Sequence, residues 1–173
     1  MPSTILGLPV HPLIVHAVVV LVPLAALLLA ASAVSPRFRR WARYATPAAA
    51  LVGLVLVPLA TSSGENLEHT VQETALLREH TELGDTLLPF MIVVTVLAFA
   101  LAWIELRGTR GGDGGQAARW ASPVVMRIVA VVAVVAALGT LVQVGRIGHS
   151  GAKSVWSQTA TSGGGSDEGA PAR

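Results

Sequence analysis

Five histidines are the groups in this chain best suited to hold a metal or to titrate near neutral pH, and all of them sit at one set of segment ends. His11 and His16 open a long apolar run over roughly residues 10–34, and His69 and His80 lie between two further runs, 47–61 and 87–104. His149 follows the fourth, 123–144. An up-down bundle brings those three places to one face, so imidazoles far apart in sequence are expected to converge on a shared site. Imidazole ligates haem iron and transition-metal ions, and it carries protons in the physiological range.

Each histidine has a different setting. His16 lies more than a turn inside an unbroken apolar span, where an ionisable group is costly and marks a functional candidate. A hydrogen bond to a neighbouring helix is its structural alternative. His11 precedes it by five residues, about 140° around an ideal helix, so the pair reaches one site only if His11 stands outside the regular helix, as an interfacial cap before Pro12. His80 lies in Arg78-Glu79-His80-Thr81-Glu82, where a carboxylate could orient the ring by accepting its second N–H. His69, about 16 Å earlier along a straight helix, cannot share an ion with it. Around His149, glycines 145, 148 and 151 leave room for a helix or a flat ligand against the backbone. Arg78, Arg146 and Lys153 could neutralise carboxylates such as haem propionates, or serve only as interfacial charges beside an anchoring Trp156.

The elements that must position these groups follow from composition. A mean hydropathy of +0.64 with 53% hydrophobic and 13% charged residues describes an integral membrane protein. A span needs about 20 helical residues. The first and fourth runs meet that length, and the middle two require their polar flanks or a thinner bilayer. The fold expected is all-α, a four-helix up-down bundle over residues 5–156, with a short outer helix between spans 2 and 3 and a disordered tail over 157–173. Thr46-Pro47 and Ser122-Pro123 look like capped helix starts. Pro23, Pro58 and Pro89 lie inside apolar runs, where they should bend their helices. A turn is expected at Ser63-Gly64, leading to one helical stripe of Glu65, His69, Glu73, Leu76, His80 and Leu83 that runs into the third span. No tandem repeat is visible.

Arginine is uneven across the connections. Arg37, Arg39, Arg40 and Arg43 crowd the first, Arg107, Arg110 and Arg119 the third, and Arg78 alone the second. The positive-inside rule then makes the first and third connections cytoplasmic and leaves both termini and every histidine outside a bacterial-type plasma membrane. The first run is too long for a signal-peptide core and is expected to be retained. A pI near 9.9 reflects these arginines, since no basic stripe interleaved with aromatics suggests nucleic acid. Zero cysteines exclude disulfides, thiolate metal sites and cysteine-held iron–sulfur clusters.

Three stretches resemble a known family. Gly7-Leu-Pro-Val-His11-Pro-Leu-Ile-Val-His16, then Ser63-Gly-Glu65 with Glu79-His80-Thr-Glu82-Leu-Gly84, and Gly148-His149-Ser-Gly151-Ala-Lys-Ser-Val-Trp156 are similar to the predicted membrane proteins called domain of unknown function number 2231. The likeness covers about residues 5–156. It implies a four-span membrane protein and no particular activity.

Three functions compete. The first is a b-type cytochrome or related electron carrier with haem b held by His16, His80 and His149, with His69 fourth, and an electron donor or acceptor protein as partner. The second is a transition-metal site for zinc, copper or iron built from His16, His80, His149, His69 and His11 with Glu73 and Glu79, at spacings that match no compact metal motif. The third is a non-catalytic scaffold or sensor of external pH. Nucleophile–base pairs, phosphate loops and dinucleotide fingerprints are not found, so hydrolase, kinase and nicotinamide chemistry have no support.

Overall fold

The computed structural model describes residues 4–5, 8–68, 74–109 and 122–163. A two-residue antiparallel ribbon pairs β1 (Thr4–Ile5) with β2 (Leu8–Pro9), and the remainder is helical. In order these helices are α1 (Val10–Val34), α2 (Pro36–Trp41), α3 (Ala45–Glu68), α4 (Ala75–Asp85), α5 (Leu87–Thr109) and α6 (Pro123–Gly163). Four of them are long and apolar enough to cross a membrane, over His11–Val34, Ala45–Glu65, Ala75–Arg107 and Pro123–Trp156. The two runs that looked short are completed by their polar flanks.

Packing closes a ring in which α1 meets α3 and α6, α3 meets α5, and α5 meets α6. The core between them combines small residues, Ala25, Ala50, Ala98 and Ala133, with Val22, Leu29, Met91 and Leu101. Small side chains let helices approach, and close van der Waals contact holds spans together where lipid removes the usual hydrophobic drive. Large apolar side chains such as Val20, Leu27, Val131 and Leu138 point outward, as a lipid-facing surface requires.

Polar residues settle where the helices break. Pro89 falls within the first turn of α5, and the N–H it lacks would have been the partner of the Asp85 carbonyl four residues back. The helix is interrupted there: α4 ends at Asp85, Thr86 caps it, and α5 restarts at Leu87. Pro89 therefore ends one helix and starts another instead of bending a span midway. Ser122 caps α6 as expected, accepting from the Val125 N–H at 3.3 Å. Thr46 does not cap α3. It lies inside the first turn, buried, with its hydroxyl 3.0 Å from that of Ser32. The turn expected at Ser63-Gly64 is also absent, because α3 continues through it to Glu68 while the Ser63 hydroxyl donates back to the Ala60 carbonyl at 2.8 Å. The stripe expected to run on from Glu65 is thus shared between α3 and α4. At the far end, α6 is helical to Gly163, past the position where the Gly/Ser-rich composition suggested a tail, since Ala, Ser and Gln at its start do not stop a helix.

The opposite end is tied by a nearly buried ion pair. Arg39 on α2 meets Glu105 on α5 at 3.0 Å, with side chains 12% and 13% exposed, and donates a second bond to the Ser32 carbonyl at 3.1 Å. Removing one member strands the other, so Glu105→Ala is expected to destabilise the bundle by about 3 kcal/mol, whereas Arg39→Met with Glu105→Leu recovers most of it. Thermal melts in detergent followed by tryptophan fluorescence check both.

Candidate functional site

Two histidines are held in the same way. At the end of the bundle away from the arginines, His11 in the first turn of α1 places Nδ1 2.9 Å from the Ser63 hydroxyl of α3. His80 on α4 places Nδ1 3.1 Å from the Ser150 hydroxyl of α6 and 3.2 Å from the Ile147 carbonyl. Each serine donates its own hydrogen to a carbonyl three residues back, Ser63 to Ala60 at 2.8 Å and Ser150 to Ile147 at 2.9 Å. The Ile147 carbonyl can only accept, so the His80 contact calls for hydrogen on Nδ1, and His11 takes the same tautomer when the Ser63 hydroxyl donates to Ala60. In the neutral imidazole, Nε2 then keeps its lone pair.

The residue after each serine completes the match. A Cβ built on Gly64 would lie 3.1 Å from His11 Cε1, and one on Gly151 would lie 3.0 Å from His80 Cε1. Each ring rests against a helix that only glycine leaves open. The unit is therefore a histidine clasped by a Ser-Gly pair near the same end of the bundle, on a later span. It occurs once between α1 and α3 and once between α4 and α6.

The remaining candidates fall elsewhere. His16 is exposed, and its Nδ1 turns back to the Pro12 carbonyl of its own helix at 2.6 Å. Because α1 is regular from Val10, the angle between positions 11 and 16 keeps these two apart, and the clasped member is His11. His149 and Arg146 are exposed on α6, so the expected meeting of His16, His80 and His149 does not occur. Arg78 pairs with Glu82 at 2.9 Å on the open face of α4, and Glu79 is exposed beside it. The acceptor for the His80 ring is thus a serine and a carbonyl of α6, with no carboxylate in that role. His69 and Glu73 lie outside the described residues. Among the described residues, no group of three or more His, Asp or Glu side chains could hold a metal ion.

Gln143 is a residue that the sequence reading passed over. Buried on α6, its amide donates to the Leu83 carbonyl at 3.3 Å and to the Thr86 hydroxyl. It thereby supplies the α4–α5 break with a donor and fixes the element that carries His80. A lone amide within Val142-Gln143-Val144 was the available signal, since polar side chains inside spans face the protein.

Fold and site define an α-helical integral membrane protein of four spans with two histidine–serine clasps at one end. The chain belongs to the family described as "Predicted membrane protein (DUF2231)", whose model matches residues 7–163. Comparison with curated proteins and with solved structures finds no match.

The clasps should be sensitive to one methyl group. Gly64→Ala and Gly151→Ala push against an imidazole and are expected to cost about 1–2 kcal/mol each. Gly84→Ala on α4, with open space around it, should instead stabilise by about 0.5–1 kcal/mol. Melting temperatures compared across the three variants test the contrast.

Proposed function

We propose that this protein is a membrane electron carrier in which His11 and His80 ligate the iron of a haem b at the outer face of a bacterial plasma membrane. The observation that carries the reading is the shared hydrogen-bond geometry of the two rings. A histidine that ligates a metal almost always donates its other N–H to a carbonyl or similar acceptor, which sets the tautomer and the ring plane. Here both rings are prepared in that way, from facing elements of a four-helix bundle. His11 and His80 would be the residues that hold the haem, which would supply one-electron redox chemistry.

The chain's own work in this reading is positional. Ser63 and Ser150 fix the orientation of each ring. Gly64 and Gly151 seat the rings, and Gln143 anchors the α4 junction. The arginine asymmetry supports an orientation with the clasps and both termini extracytoplasmic. A bare zinc, copper or iron ion held by the same two imidazoles is the second reading. A scaffold or pH-sensing role is the third, resting on two imidazoles at one end of the bundle.

Absorbance spectra and elemental analysis of protein purified from haem-replete cells separate these readings. A Soret band that shifts on dithionite reduction, lost in both His11→Ala and His80→Ala and kept in His16→Ala and His149→Ala, is the expected result. Stoichiometric metal without porphyrin would move the assignment to the second reading. Colourless, metal-free protein would leave the third.

A further inference from the structure

At the other end of the molecule, we propose that α2 and its turn into α3 form a binding site for the headgroup of an anionic phospholipid. The inference is independent of the histidine clasps.

The anchor is the Arg39–Glu105 pair. By consuming one arginine of α2 inward, it fixes which side of this short helix faces away. Arg37 and Arg40, three residues apart and turned about 160° and 100° from Arg39 around the helix, are both exposed. The exposed Trp41 ring packs against Phe38 with centroids 5.4 Å apart, and the Arg43 guanidinium lies 4.9 Å above the Tyr44 ring. On α5, which α2 touches, the Arg107 guanidinium lies 4.3 Å above the Trp103 ring. Glu105 is the one acidic side chain at this end among the described residues, and Arg39 already neutralises it.

These facts select the ligand class. Stacking on an aromatic face holds a guanidinium in place while its N–H edge remains able to donate to phosphate oxygens. Arg43 is held in that way, and Arg37 and Arg40 add two exposed guanidinium groups within seven positions, in a helix–turn pinned by an ion pair. Trp41, Tyr44 and Trp103 are 76%, 62% and 60% exposed, and amphipathic rings of this kind settle at the headgroup level of a bilayer. A free phosphate ester would need the arginines alone. The aromatic ring at the same level specifies a phosphate carried by a lipid.

The test uses the full chain in mild detergent with mixed micelles of phosphatidylglycerol and phosphatidylcholine, with retained lipid counted by native mass spectrometry. Preferential retention of phosphatidylglycerol is expected, falling by about fivefold for each of Arg37→Gln, Arg40→Gln and Arg43→Gln. Arg146→Gln with Lys153→Gln, at the opposite end, should leave it unchanged. Circular dichroism and size exclusion establish that each variant is folded. Equal retention of the two lipids by the native chain overturns the proposal, as does a preference that survives the triple replacement in folded protein. Displacement of the lipid by millimolar glycerol 3-phosphate would assign the site to soluble phosphate esters and would overturn it too.

Discussion

A hydrocarbon interior offers no hydrogen-bond partner, and the polar groups of this chain are arranged around that constraint. The helices satisfy their backbones internally. Side-chain hydroxyls fold back onto carbonyls of their own helix, as Ser63, Thr140, Ser150 and Ser154 do, or reach across, as Thr95 does to the Ala50 carbonyl at 3.2 Å. Ser32 and Thr46 satisfy each other. Among the described residues no buried side-chain nitrogen or oxygen is left without a partner. Within such a network the two histidines stand out, since each bonds through Nδ1 to a serine hydroxyl of another helix.

The duplicated clasp gives the bundle a regularity that its sequence hides. In both halves a descending element carries the imidazole and a later ascending span carries serine and glycine, so the halves are related as if by rotation about an axis along the membrane normal. The arginine end has no such symmetry. Its ion pair joins α2 to α5, with no counterpart on α6, and stiffens the short connection between the first two spans.

Hydropathy and charge made the four spans, their order and the histidine-bearing end legible, because bilayer thickness and backbone satisfaction leave few alternatives. The choice among histidines was less accessible. His16 drew attention as an ionisable group inside an apolar run, yet a ring can satisfy itself on its own helix, and the side it faces depends on how α1 is rotated in the bundle. His11 was read as a cap because of Pro12, although proline is compatible with a first turn and leaves the ring free to cross to α3. The serines were the harder omission. Hydroxyls that bond back to their own helix have no periodicity of their own, and their role appears only once α3 is set against α1 and α6 against α4.

The interruption at Thr86 has a mechanical consequence. α4 holds no buried residue and joins the span below it through one position whose backbone remains close to helical, so it behaves as an arm hinged on the bundle. What restrains that arm is local: the Gln143 amide at its base, and the His80 ring seated on Ser150 and Gly151 farther out. Local openings cost least where little apolar area is buried. The bundle thus carries one clasp on a span with a buried core face and the other on a helix that has no buried residue.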